Sequence, residues 1–167
     1  MKRALFLLVV SAAILGGPIA AFAKATKLDA ADRKHLVETQ DPPLVLTMRE
    51  VPEEIVRACA AVSSGKDFRL ADAGQPFQVT DVITNEKLLS KRLIWGARIP
   101  GYFVVHYEHG GFAHSYHVLV VAVDAAKKAR VVWSALVASA VAPLNSYGAF
   151  REALAAEKLD DAMNYIP

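Results

Sequence analysis

Apolar residues early in the chain recur at the spacing of a helix. The segment 29–40 predicts a short helix with Asp29 as its N-terminal cap, and Pro42 and Pro43 end it because proline disfavours the helical conformation in the residue before it. Pro52 predicts the first turn of a second helix. The apolar stripe of that helix, at positions i, i+4 and i+7, is Ile55, Cys59 and Val62.

From Lys66 the apolar period shortens toward two, which predicts strands separated by turns. The predicted extended segments are 68–71, 77–83, 92–98, 102–109, 112–123 and 130–137. Gly110 and Gly111 predict a two-residue hairpin turn, because glycine readily takes the positive φ that such turns require. A closing helix is predicted over 147–157, with its cap at Asn145 or Ser146.

This order of elements is typical of a single α+β domain. We expect N-terminal helices, an antiparallel meander sheet of about five strands, and a C-terminal helix packed on one face. The helices would then cover one face of a curved sheet and leave its concave face open.

The first 23 residues have the three parts of a secretory signal peptide. Two basic residues form the positive start, 4–15 form the apolar stretch, and Ala21-Phe22-Ala23 matches an A-x-A cleavage site. Cleavage near Ala23 would leave residues 24–167 as the mature domain. The predicted location is the periplasm or the secreted fraction.

Charge and cysteine content narrow the function classes. Two basic residues leave with the signal, so 19 − 2 = 17 Lys and Arg balance 17 Asp and Glu in the mature domain. A nucleic-acid partner is not expected, because such binding relies on an excess of basic residues. The apolar stretch of the signal is shorter than the roughly 20 residues of a membrane-spanning helix, and no later run of that length lacks charge. Cys59 is the only cysteine, so no disulfide forms within the chain.

Four of the five histidines lie within twelve residues of the predicted hairpin, in the sequence HYEHGGFAHSYH. With the glycine pair as the two turn residues, alternation places His106, Glu108 and His117 on one face. Two imidazoles and a carboxylate suit zinc or another divalent metal, with a fourth position left for water. The sequence therefore predicts a candidate zinc site at this hairpin.

The members of this site depend on the register of the hairpin. A three-residue loop would instead group His106, Glu108, His114 and Tyr116, because a one-residue slip sends every side chain of one strand to the other face. The cluster also has an interpretation without a metal. In that case the histidines line a ligand cavity or lie on a solvated hairpin tip.

Cys59 and His117 raise a catalytic alternative. A helical cysteine followed about sixty residues later by a histidine that begins a strand resembles the order in papain-like, amidase and CHAP-type cysteine hydrolases. The stretch HVLVVAVD, 117–124, is similar to the histidine strand of those families, and 130–134 follows it as their next strand does. The resemblance implies a peptidase or amidase that uses Cys59 and His117. The apolar stripe of the second helix instead predicts a buried, inert Cys59.

The sequence favours binding over catalysis. The candidate contact residues combine apolar surface with polar groups, and they are Trp95, Tyr102, His106, Tyr116 and His117. We expect these residues to hold a small ligand, a peptide or a metal on the concave face and at the hairpin tip. A third possibility is a cell-envelope interaction or inhibitor module, in which an exposed sheet edge pairs with another chain.

Overall fold

The computed structural model describes residues 27–64, 67–83 and 85–160 of the chain. The predicted signal peptide, 1–23, lies outside these residues. In the part of the chain that is described, none of the helices combines the length and the apolar character of a membrane span.

The helices form where the sequence predicted them. They are α1 (Ala30–Glu38), α2 (Glu53–Val62) and α3 (Tyr147–Ala155). The Asp29 carboxylate caps α1 by accepting the backbone N–H of Ala31 at 2.7 Å, and the Ser146 hydroxyl caps α3 by accepting that of Ala149 at 3.0 Å. Pro52 is the cap residue of α2, one position before the first turn in which it was predicted.

The sheet is an antiparallel meander. Its strands are β1 (Leu44–Val45), β2 (Lys91–Ile99), β3 (Tyr102–His109), β4 (Ser115–Val123), β5 (Ala129–Val137) and β6 (Leu159–Asp160). Each strand pairs with the next one along the chain, so the spatial order is β1 to β6 and the predicted meander is confirmed. Two predicted extended segments, 68–71 and 77–83, are loops: the first forms a single bridge to β2, and the second forms a single bridge to Gly111 in the loop between β3 and β4.

Packed helices cover both faces of this sheet. One core lies under α1 and α3 and includes Leu36, Phe150, Trp95, Val104 and Val120. A second core lies under α2 and includes Ile55, Cys59, Phe103, Val105 and Leu119. The α+β class and the C-terminal helix on one face are therefore confirmed.

The sequence predicted that one face of the sheet would be open to a ligand, but α1 and α3 pack on one face and α2 packs on the other. The run Phe103-Val104-Val105 in β3 and the run 118–121 in β4 are continuously apolar, whereas a strand with one solvent face alternates. These central strands need cover on both faces. A ligand site on this sheet is therefore restricted to its ends and edges.

Candidate functional site

The histidine-rich hairpin has a longer loop than the sequence predicted. The last pair of β3 and β4 joins His109 to Ser115, so 110–114 form a five-residue loop. The predicted two-residue turn is wrong. The residues that face each other across the hairpin therefore differ from the predicted ones.

The two glycines of this loop allow close backbone contact with the segment 77–83. The Gly111 N–H donates to the Val79 carbonyl at 3.0 Å. A Cβ on Gly110 would lie 1.9 Å from the carbonyl oxygen of Gln78, so only glycine allows the two backbones to approach this closely. This tertiary contact explains why the glycine pair does not form a two-residue turn.

The observed register separates the predicted metal ligands. His106 lies on the face that α1 and α3 cover, where its ring centroid is 5.4 Å from that of Trp95. His117 lies on the α2 face, stacked on Tyr107 with ring centroids 5.1 Å apart. Among the described residues, no three His, Cys, Asp or Glu side chains are placed to hold a metal ion. The set His106, Glu108 and His117 therefore does not come together.

His106 is a buried structural residue. The Leu144 N–H donates to its Nε2 at 3.2 Å, so the ring proton is on Nδ1, which donates to the His117 carbonyl at 2.9 Å. The Trp95 Nε1–H donates to the Leu144 carbonyl at 2.6 Å. Burial lowers the pKa of His106 to about 4. Both Trp95 and His106, predicted as ligand contacts, thus hold the loop before α3 against the sheet.

A second group of side chains lies at the hairpin end of the same face, and we call Arg92, Glu108, His114 and Tyr116 the hairpin-end cluster. The register pairs Glu108 directly with Tyr116. Of the group His106, Glu108, His114 and Tyr116 that a three-residue loop predicted, the last three come together here, but the loop has five residues and His106 bonds the loop before α3 instead. The His114 and Tyr116 rings are 4.9 Å apart between centroids. The Arg92 guanidinium lies 4.4 Å from the centre of the Phe77 ring.

The Glu108 carboxylate organises this cluster. Arg92 Nε donates to its Oε1 at 2.7 Å, and His114 Nε2 donates to its Oε2 at 2.7 Å. The Glu108 side chain is 6% exposed, against 28% for Arg92 and 34% for His114. Since both carboxylate oxygens are occupied, Glu108 holds its two partners in fixed orientations, and the partners present their outer edges to solvent.

A small cavity of about 210 Å³ opens beside the cluster. Its lining includes Ala73, Gly74, Arg92, Glu108, Tyr116 and Pro143. Of the ligand contacts that the sequence predicted, Tyr116 alone lines it. The loop glycine and alanine in this lining were not predicted, because 68–83 was interpreted as strand and turn.

The loops at this end expose large apolar side chains, and we call Val79, Val82, Ile83 and Phe112 the apolar rim. Phe112 is 96% exposed, Ile83 69% and Val82 65%. The two loops that carry them are joined by the bridge between Thr80 and Gly111. The apolar rim is thus one feature built from two segments that are distant in sequence.

Cys59 and His117 lack the environment of a cysteine hydrolase. Cys59 is fully buried, and burial raises the pKa of its thiol. The Nε2 atom of His117 is 2.8 Å from the Ser115 hydroxyl oxygen, and burial lowers the pKa of this histidine to about 4. A catalytic thiol needs a basic partner or a positive neighbour that stabilises the thiolate. The surroundings of Cys59 match the alternative of a buried, inert cysteine.

Tyr102 lies at the opposite end of the sheet from the hairpin-end cluster. Its hydroxyl donates to Asp32 on α1, and this hydrogen bond, together with burial, raises its pKa to about 12. Tyr102 also lines a cavity of about 440 Å³ that includes Glu54 and Arg98. The five predicted ligand contacts are therefore divided between both ends and both faces of the sheet.

Comparison with known proteins gives no match to a protein-family model, to a curated protein or to a solved structure. The resemblance to cysteine hydrolases therefore has no support beyond the residues that suggested it.

Proposed function

We propose that this chain is an exported binding protein that docks on a protein partner through the apolar rim and the hairpin-end cluster. The observation that carries the proposal is the exposure of Phe112, at 96%, on a loop whose backbone is hydrogen-bonded to a second apolar loop. Large apolar side chains that are exposed together mark interaction sites. Since the backbone bonds hold these loops in place, little ordering is needed when a partner binds.

The size of the neighbouring cavity favours a protein over a free small molecule as the partner. Its volume of about 210 Å³ is below the roughly 300 Å³ at which ligand pockets begin. Such a cavity accommodates one side chain of a docked protein. The partner surface that fits is apolar, with one protruding side chain that enters the cavity beside Tyr116 and contacts Arg92.

Export is a separate part of this proposal. It rests on the positive start, the apolar stretch and the A-x-A triplet in the first 23 residues. N-terminal sequencing of the protein from a host-cell envelope fraction tests it. We expect the first residue to be Lys24. A protein that keeps Met1 and stays in the cytoplasm would contradict export.

Site-specific photo-crosslinking in host cells tests the docking surface. A photoreactive amino acid is placed at Phe112, at Ile83 or at Leu46, one position at a time. Leu46 is the matched control, because it is 49% exposed and belongs neither to the apolar rim nor to the hairpin-end cluster. We expect positions 112 and 83 to give the same discrete adduct and position 46 to give none.

Two results would contradict the docking surface. One is the absence of a discrete adduct at both rim positions. The other is an adduct of the same size and yield at position 46, because crosslinking would then reflect exposure alone.

A further inference from the structure

A row of polar side chains crosses the α2 face at the hairpin end of the sheet. Lys91 on β2 pairs with His109 on β3, and His109 pairs with Ser115 on β4, so their side chains share one face. His117 follows two positions later on β4 and lies on the same face, with its Nε2 2.8 Å from the Ser115 hydroxyl oxygen. Three basic side chains and a hydroxyl are thus neighbours.

Lys91 is the unusual member of this row. It is 9% exposed, and no carboxylate of the described residues forms an ion pair with its ammonium group. Asp67 is the acid that acts on it electrostatically, but the Asp67 carboxylate is paired with Arg69 Nε at 2.7 Å. Burial lowers the pKa of Lys91. An ammonium group that has no carboxylate partner can form charge-assisted hydrogen bonds with a bound anion.

The neighbours of Lys91 are hydrogen-bond donors. Burial and the nearby Lys91 charge lower the pKa of His109, and burial lowers that of His117, so both imidazoles are neutral at pH 7 and each has one N–H group. The Ser115 hydroxyl and His117 Nε2 are hydrogen-bonded to each other, so this pair has one donor left, and the N–H group of His109 is another. One ammonium with two neutral donors is a set that matches the acceptor oxygens of an anion.

We propose that Lys91, His109, Ser115 and His117 form an oxyanion-binding site. Lys91 supplies the positive charge, and His109 and the hydrogen-bonded pair of Ser115 and His117 orient the oxygens of a phosphate or carboxylate group. A metal cation does not fit this row, because the Lys91 ammonium repels it. The site lies on the opposite face of the sheet from the hairpin-end cluster, so this inference does not rest on the proposed function.

Titration of the purified protein with inorganic phosphate, and separately with acetate, tests the site. Sodium chloride holds the ionic strength constant, and the readouts are the melting temperature and the backbone amide NMR spectrum. We expect a saturable rise in melting temperature and shifts centred on residues 91, 109, 115 and 117. A response to phosphate identifies a phosphate-type ligand, and a response to acetate alone identifies a carboxylate.

Variants connect the response to Lys91. Lys91→Met keeps the length of the side chain and removes its unpaired charge, so we expect it to fold and to bind at least about tenfold more weakly. Lys87→Met, at an exposed lysine on the loop before β2, should bind as the wild type does. If Lys91→Met does not fold, His109→Asn provides the second test, with the same expected weakening.

The proposal is overturned by any of three results. The first is no saturable response to either anion, and the second is NMR shifts centred away from this row. The third is unchanged affinity in the folded Lys91→Met protein or, where that variant does not fold, in His109→Asn.

Discussion

At the scale of single residues, the peptide group of Leu144 is held from both sides. His106 accepts its N–H and Trp95 donates to its carbonyl, deep in the core under α1 and α3. Both residues are therefore constrained by packing, and neither is available to a ligand. The sequence does not show whether the polar atom of a strand histidine or tryptophan faces solvent or bonds a loop. That depends on where a distant loop packs.

His106→Leu should lower the free energy of unfolding by about 1 to 3 kcal/mol, because it leaves the Leu144 N–H buried without its partner. Chemical denaturation measures the change. His35→Leu is the control, since His35 makes one exposed hydrogen bond to the Pro100 carbonyl and should cost about 1 kcal/mol or less. Equal costs for the two variants would contradict the structural role of His106.

Two buried histidines should make the protein sensitive to acid. Burial lowers the pKa of His106 and of His117 to about 4. Because these values lie below that of an unfolded histidine, near 6.5, the unfolded state binds more protons between the two pH values. Stability is therefore retained above about pH 6.5 and lost as the pH falls toward 4, by roughly 3 kcal/mol per histidine.

The measurement is the free energy of unfolding of the wild type and of His117→Gln across this pH range. On acidification the variant should lose less stability than the wild type, and the difference should be roughly the 3 kcal/mol expected for one histidine. Identical pH profiles would show that His117 does not titrate as its burial indicates.

At the scale of elements, short sequence signals correctly predicted the helix caps and the order of the strands. Asp29 and Ser146 are capping residues by chemistry, and both cap their helices. The meander order followed from short turns between extended segments. The register of the β3–β4 hairpin could not be predicted, because Gly110 and Gly111 serve a contact with 77–83 and the sequence shows only that glycine is present.

Gly110→Ala should detach the segment 77–83 from the hairpin loop, because the added Cβ would meet the Gln78 carbonyl oxygen. We expect faster hydrogen exchange and proteolysis in 77–83. Gly74→Ala is the comparison, since it has a positive φ and open space around its Cβ position. That variant should cost about 1 to 2 kcal/mol from backbone strain and leave 77–83 attached. Equal protection of 77–83 in the two variants would contradict the close approach at Gly110.

At the scale of the whole molecule, the covered sheet determines where function can lie. The α+β class was predictable from the order of elements. The packing of helices on both faces of the sheet was not predicted, and it removes the open face on which the ligand site was expected. The continuous apolar runs in β3 and β4 were its signal in the sequence. The apolar rim could not be predicted, because it joins two loops through a backbone contact, and Val82, Ile83 and Phe112 had been interpreted as strand residues.

Cys59 should react with iodoacetamide only when the protein unfolds. It is fully buried in the core under α2, and burial raises the pKa of its thiol. Since a stable domain is unfolded for about one part in a thousand or less of the time, native labelling should be at least about a thousandfold slower than labelling in denaturant. Rapid labelling of the native protein would restore the cysteine hydrolase alternative.

The affinity of the crosslinked partner for variants of the apolar rim decides whether the protein docks through its hairpin end. The dissociation constant is measured for the wild type, for Phe112→Asp and for the control Leu46→Asp. We expect Phe112→Asp to weaken binding by at least about tenfold, as for an aromatic residue central to an interface, while its melting temperature stays unchanged. Leu46→Asp should bind like the wild type. Wild-type affinity in Phe112→Asp, or equal losses in both variants, would contradict docking at the hairpin end.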